Sequence, residues 1–266
     1  MNGALPDLAP LDLETDFKGC CARLYESDAV RWLLDDQLHP GGERLTLRLA
    51  ELAELAPGQR VVDVACGSGA TALLLARELR CVMVGVDLGA RAIEQARRAT
   101  HAGEHASFLL GDAEALPLPD ASFDVALSEC SLCTFPDKPR AIAEMARIVR
   151  AGGRIAIADV TADLDALPAQ LRTAAARIAC VADARSAGAY ATLLRDAGCA
   201  LLAIEPHDAE LRAMADRVEA RLRLARMIAP PGYQRERIRE AAALARMAID
   251  AIARGSLGYT LITARV

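Results

Sequence analysis

The sequence predicts an open α/β fold, a mostly parallel sheet with helices on both faces. Two observations carry this. Strand-like and helix-like segments alternate from residue 60 onward, the pattern of a sheet whose crossovers are helical. At the front of that alternation, residues 60–87 read as a strand, a glycine loop, a helix and a second strand ending in an acid. A chain of 266 residues is long enough for one large α/β domain with additions.

Taken in order, strands are expected at residues 60–65, 81–87, 107–111, 123–128, 154–160 and 200–206, with a closing strand at 257–266. Helices are expected at 70–79, 91–100, 139–150 and 187–197. The pair Gly152-Gly153 is expected to end the third of these helices at Ala151 and turn the chain into a strand. Before the first strand, helical periodicity runs around 30–34 and 43–55. Near the end, 209–226 and 234–254 read as two amphipathic helices parted by the breaker Pro230-Pro231-Gly232. This divides the chain into an N-terminal helical segment (1–50), a nucleotide-type core (51–208), and a helical insertion with a closing strand of the same domain (209–266).

Composition sets limits. The net charge is −5 and aromatics make up 3% of residues. Nucleic acid wants a basic footprint and stacking platforms, so neither is expected as a partner. No apolar run of bilayer length lacks a charge. Residues 1–16 show no basic stretch followed by an apolar core, so no signal peptide is expected. Eight cysteines in such a chain then read as reduced thiols in a cytoplasm.

The glycine loop is Cys66-Gly67-Ser68-Gly69, after the strand Val61-Val62-Asp63-Val64-Ala65. Gly67 and Gly69 allow a tight turn and a close approach of ligand to backbone. The third glycine of a dinucleotide fingerprint is replaced by Ala72. Asp87 ends the next strand, where a carboxylate can take two ribose hydroxyls. Three readings compete at this point: a nicotinamide or flavin enzyme, an S-adenosylmethionine enzyme, or a Rossmann-like domain that binds nothing. Asp63 favours the second. A carboxylate there repels a pyrophosphate and attracts a sulfonium and an ammonium.

Further motifs follow in sequence: Gly111-Asp112-Ala113-Glu114, then Leu116-Pro117-Leu118-Pro119-Asp120 leading into Phe123-Asp124-Val125, then Arg147-Ile148-Val149-Arg150-Ala151-Gly152-Gly153. In this order the set resembles the class I S-adenosylmethionine-dependent methyltransferases, over about residues 45–205. The resemblance implies a Rossmann-like seven-stranded methyltransferase sheet, its last strand antiparallel, with an N-terminal helical lid and a C-terminal helical insertion before the last strand. It implies S-adenosylmethionine as cofactor. Asp63, Gly67 and Gly69 would meet its methionine part, Asp87 the ribose, Leu88 the adenine face, Asp112 and Ala113 the base edge, and Ser128 the surroundings of the sulfonium.

The segment Ser128-Glu129-Cys130-Ser131-Leu132-Cys133-Thr134-Phe135-Pro136-Asp137-Lys138 and the later Ile178-Ala179-Cys180-Val181-Ala182 are similar to the arsenite methyltransferases. Cys130 and Cys180 match two thiol positions of that family. Cys20 or Cys21 would supply another from the lid. Two departures stand out. Glu129 replaces an asparagine, and a family cysteine nearer the first strand has no counterpart, Asp35 and Asp36 lying around that point. The resemblance implies thiolates of Cys130 and Cys180, joined by Cys20 or Cys21, holding As(III) as substrate, with a thiol reductant as co-reactant. Trivalent arsenic is soft and suits such ligands.

Other residues read more plainly. Cys66, Cys81 and Cys199 read as small buried residues. Cys133 stays open between a spare thiol and a packed one, and Tyr25 between the cofactor and the core. His39, within His39-Pro40-Gly41-Gly42, reads as part of a turn. The function expected is methyl transfer to arsenite or methylarsenite. The alternatives are methyl transfer to a small organic molecule, such as a quinone precursor or secondary metabolite, and metalloid binding without turnover.

Overall fold

The computed structural model describes residues 32–34, 39–172, 181, 183–228 and 232–266. Cys20, Cys21, Tyr25 and Cys180 lie outside the described residues, as do Asp35 and Asp36.

In chain order the elements are α1 (Gly42–Leu52), β1 (Arg60–Val64), α2 (Ala70–Glu78), β2 (Val82–Asp87), α3 (Ala90–Ala99), β3 (Ala106–Leu110), β4 (Phe123–Glu129), α4 (Lys138–Ile148), β5 (Val149–Ala162), α5 (Ala187–Asp196), β6 (Ala200–Pro206), α6 (Asp208–Ile228), α7 (Tyr233–Ala253) and β7 (Leu257–Arg265). Short 3-10 turns fall at Leu132–Thr134 and Ala169–Arg172. The sheet has seven strands in the order β3-β2-β1-β4-β5-β7-β6. Strands β1 to β5 pair in parallel, and β7 runs antiparallel to both β5 and β6. This is the seven-stranded, Rossmann-like sheet expected from the sequence.

The period of two along each strand sorts side chains into two cores. On β1, Val61 joins the core beneath α1 and α2, with Leu45, Leu49, Leu75 and Phe108, while Val62 and Val64 face Ile142, Met145 and Ile148 of α4. On β5, Ala156, Ala158 and Val160 take the first side, and Ile155 and Ile157 the second. Strands buried on both faces read as continuous apolar runs, which is why β1 and β5 stand out in the sequence. Asp63 interrupts such a run, and it lies on the same face as Val61.

One expected boundary is wrong. Helix α4 stops at Ile148, not Ala151, and Val149 is already extended and paired with Phe123. The register then shifts, so that Val125 faces Arg154. Gly152, at φ +80°, and Gly153 make this irregularity within the strand; a Cβ on Gly153 would stand 2.6 Å from the Asp124 carbonyl. The glycines serve a close strand contact instead of a helix end. The β-branched Val149 favours the earlier start of the strand.

The two long C-terminal helices pack on each other through Leu222, Ala225, Ile238 and Ala242. Glu219 of α6 binds Arg223 on its own helix and Arg246 on α7.

Candidate active site

The strand order reverses between β1 and β4, and ligands of open α/β sheets bind at such a point, outside the carboxyl ends of the strands. Here these ends are Val64, Asp87 and Glu129.

The glycine loop is shaped by strand β2. Ala65 and Cys66 both donate their N–H to the Val86 carbonyl, and Gly69 N–H closes on the Cys66 carbonyl. Ala65, Gly67 and Gly69 have φ of +62°, +53° and +82°. The two glycines differ in what they permit. A Cβ on Gly69 would lie 2.6 Å from the Phe108 ring, whereas one on Gly67 would meet nothing within 4 Å. Gly69 is thus needed for packing, and Gly67 keeps open the space in front of the loop. Cys66 is buried, and its sulfur would stand 2.7 Å from a Cβ on Gly85. Burial first, then the charges of Asp63 and Asp87, push its thiol pKa up. It is a packing residue, as are the buried Cys81 and Cys199.

Asp87 braces the loop. Its Oδ2 accepts the Gly67 N–H at 2.8 Å and its Oδ1 the Gly89 N–H at 2.7 Å. The carboxylate is therefore fixed in orientation at the end of β2. Leu88, beside it, is 41% exposed, an open apolar surface at the strand end. Asp112 turns the chain after β3, accepting the Glu114 N–H at 2.9 Å and bridging to Ala115. Ala113 packs against the second core. Ser128 is fully buried, and its hydroxyl engages the Val64 carbonyl at 3.1 Å and Ser131 Oγ at 2.6 Å. It ties β4 to β1 at the wall of the site.

Asp63 is 2% exposed. Among the described residues its Oδ2 has no hydrogen-bond partner. Burial pushes its pKa well up, the charges of Glu129 and Asp87 add to this, and a hydrogen bond from the Ala72 backbone opposes it. A buried carboxyl with an orphan oxygen at a helix start is costly in itself, and an incoming cation would satisfy it.

Glu129 is the residue whose part the sequence did not announce. Its side chain is 4% exposed. It accepts the Thr46 hydroxyl of α1 at 3.0 Å and the Thr71 hydroxyl of α2 at 2.7 Å. His39 Nε2 stands 4.0 Å from the same carboxylate, and His39 Nδ1 lies 3.3 Å from the Pro40 carbonyl. His39 thus sits at a turn, as expected, and also reaches the pocket. The signal for Glu129 was its departure from the family asparagine.

Cys130 follows directly, with φ +51°. Its N–H donates to the Ala158 carbonyl at 2.7 Å, the same oxygen that accepts the Tyr259 hydroxyl at 3.3 Å. Tyr259 is fully buried, and burial, with Cys130, Glu129 and Asp159 close by, raises its pKa well above the ordinary value. Cys133 is 1% exposed in the first core, and its N–H donates to Asp159 Oδ2 at 3.1 Å. It is a packed thiol. Among the described residues no three His, Cys, Asp or Glu side chains group as a metal site. Cys180, Cys20 and Cys21, which the resemblance would add to Cys130, lie outside the described residues. Lys138, 3% exposed, binds the Phe135 carbonyl at 3.0 Å and Asp183 at 2.8 Å, fastening the turn after β4 to the chain near residue 183.

This geometry is an open sheet with a glycine loop and with acids at or beside the carboxyl ends of β1, β2 and β4, an arrangement that suits a nucleotide-type ligand. Residues 62–157 match the family model described as a methyltransferase domain. The chain is 33% identical over 175 residues to a 27-O-demethylrifamycin SV methyltransferase of Amycolatopsis mediterranei, covering 63% of this chain and 61% of that one. It is 31% identical over 216 residues to an arsenite methyltransferase of Halobacterium salinarum, covering 76% of this chain and 52% of that one. The chain thus spans between half and two thirds of these relatives' length. The structure of the cyclopropane synthase MmaA2 from Mycobacterium tuberculosis superposes with a TM-score of 0.80 at 15% identity, covering 96% of this chain and all of that one, and shares its fold. No helix among the described residues is long and apolar enough to cross a membrane.

Proposed function

We propose that the chain is an S-adenosylmethionine-dependent methyltransferase acting on a small molecule. The observation that carries this is the buried Asp63 carboxyl with its unpartnered oxygen, behind a glycine loop braced by Asp87. A sulfonium and an ammonium suit such a site, and a pyrophosphate does not. Asp63, Gly67 and Gly69 would frame the methionine end. Asp87 would take the ribose hydroxyls. Leu88 would lie on the adenine face, and Asp112 and Ala113 at the base edge. Ser128 would act in the wall, its hydroxyl already engaged. Bound there, S-adenosylmethionine supplies an electrophilic methyl group. The chain's part is to orient it, exclude water and hold the acceptor in line.

For the acceptor we propose a trivalent arsenical held by thiolates, with Cys130 as the described ligand and Cys180, Cys20 or Cys21 completing the set. Two facts support this. Cys130 stands at the carboxyl end of β4 beside the pocket, and the arsenite methyltransferase alignment covers 76% of the chain. The arsenic lone pair needs no base, and a thiol reductant would supply exchangeable thiols. One observation favours a second acceptor class, a small organic molecule. His39 faces Glu129 across 4.0 Å, and an oxygen or nitrogen acceptor needs such a proton acceptor.

The test is methylarsenical formation from arsenite and a small thiol. Wild type should turn over, and Cys130→Ser and Cys180→Ser should not. Equal activity in all three, or none in any, refutes the arsenical acceptor. Binding of S-adenosylmethionine, measured separately, decides the methyltransferase reading.

A further inference from the structure

Leu222 and Ala225 of α6 pack on Ile238 and Ala242 of α7, the pairing of an antiparallel hairpin. On the other side of α6, toward its end, Leu224, Met227 and Ile228 are 54%, 75% and 63% exposed. Spaced i, i+3 and i+4, they share one face of the helix. Large apolar side chains grouped and left open in this way mark an interaction surface. Trp32, the chain's single tryptophan, is exposed as well. Arg221 donates to its carbonyl, and Leu33 packs against the hairpin core. Arg221 precedes Leu224 by three residues and Ile228 by seven, so Trp32 is held on the same side of α6.

The charge around this face is mostly of one sign. Between Arg217 and Arg239 the sequence carries seven arginines and two acids, in a chain whose net charge is −5. Both acids are engaged. Glu219 takes Arg223 and, from α7, Arg246, and Glu236 takes Arg239. At the hairpin end Arg226, Arg235 and Arg239 line an open groove together with Met227 and Glu236. Three guanidiniums therefore stand against one carboxylate, beside exposed apolar side chains.

We propose that the end of the α6–α7 hairpin is a docking surface for an anionic phospholipid bilayer. Leu224, Met227 and Ile228 enter the boundary of the acyl chains, and Arg226 and Arg235 meet the lipid phosphates. Trp32 lies at headgroup level, where an indole finds an apolar surrounding for its rings and a polar one for its N–H. A bilayer surface accepts apolar and cationic groups on one face. Nucleic acid takes the arginines and leaves the apolar side chains in water. A second copy brings like charge against like.

The experiment is co-sedimentation of the full chain with vesicles of phosphatidylcholine alone and with vesicles of equal parts phosphatidylcholine and phosphatidylglycerol. The emission of Trp32 is read in parallel. The expected result is binding to the anionic vesicles only, weakened several-fold by raised salt, with a blue shift of the emission. Met227→Ser should weaken it by about tenfold, through the loss of a buried side chain. Arg226→Glu should weaken it by about tenfold or more, through a reversed charge near the surface. Leu202→Ser, at an exposed apolar position of β6, should bind as wild type does. No binding to anionic vesicles, equal binding to both kinds, or wild-type binding by both hairpin variants overturns the proposal. So does self-association in sedimentation velocity without lipid that Met227→Ser abolishes, since the face then belongs to a second copy. All three substituted side chains are exposed, and an unchanged melting temperature shows that a variant is folded. Should one hairpin variant unfold, the other carries the test.

Discussion

Replacing Asp63 with asparagine separates what this carboxyl costs from what it does. The side chain is 2% exposed, its Oδ2 has no partner among the described residues, and Glu129 and Asp87 oppose its charge. Asparagine keeps the shape and the acceptor for the Ala72 N–H while removing the charge. Asparagine still leaves a polar atom at the orphan position, so the gain is that of removing the charge, for which the cost of an unsatisfied buried group, about 1–3 kcal/mol and more when charged, sets the scale. Taking ~2 kcal/mol as the gain, a chain of this size should melt roughly 4–8 °C higher. The pH dependence gives the cause. The folded-state pKa of Asp63 is raised, so the folded state keeps the proton while the unfolded state loses it, at a pKa near ~3.9. The penalty is absent below that pH, builds as pH rises toward the folded pKa, and stays constant above it. Scanning calorimetry of both proteins should show the gap at pH 7 and its closure near pH ~3. Cofactor affinity should move the other way, falling about tenfold or more. An unchanged or lower melting temperature at pH 7, or a gap independent of pH, would refute the reasoning.

Other expectations follow from single contacts. Gly69→Ala sets a Cβ 2.6 Å from Phe108 at φ +82° and should cost about 2–4 kcal/mol in urea denaturation, while Gly67→Ala, with nothing within 4 Å, should cost about 1–2 kcal/mol from backbone strain alone. Glu144 is held below the usual carboxylate range by Arg147, with help from the Leu116 N–H and against its burial. Its stabilisation is present above its unfolded pKa and lost as pH falls through the lower folded value, so Glu144→Gln should cost about 1–3 kcal/mol at pH 7, with the gap narrowing below pH ~4. Lys138→Met leaves Asp183 without its ammonium partner, and limited proteolysis should show faster cleavage near residue 183 with the α4 core intact.

Much of the fold was legible because its signals are local. The apolar runs of β1 and β5 are consequences of strands buried on both faces, and the acid that ends β2 stands out against its own apolar run. The glycine loop was legible because positive φ demands glycine at Gly67 and Gly69. The end of α4 was not, since Gly152-Gly153 serves a strand irregularity set by β4, a partner distant in sequence. Strand β7, buried from Leu257 to Ala264, depends on neighbours on both sides, β5 and β6, that its own alternation does not disclose. At the site, Asp63 and Asp87 carry their meaning in position alone. Glu129 acquires its own from Thr46, Thr71 and His39, which the fold gathers from segments far apart in the chain. Cys133 and Cys130 are three residues apart in sequence, yet Cys133 is buried and Cys130 only partly so, the 3-10 turn at Leu132–Thr134 beginning between them.

The central claim is that the pocket is built for a cation-bearing nucleoside and not for a pyrophosphate. Calorimetric titration of the wild-type chain with S-adenosylmethionine and, in parallel, with NAD tests it most directly. The account predicts one-to-one binding of S-adenosylmethionine and no binding of NAD. Binding of NAD, or no binding of S-adenosylmethionine, would contradict it.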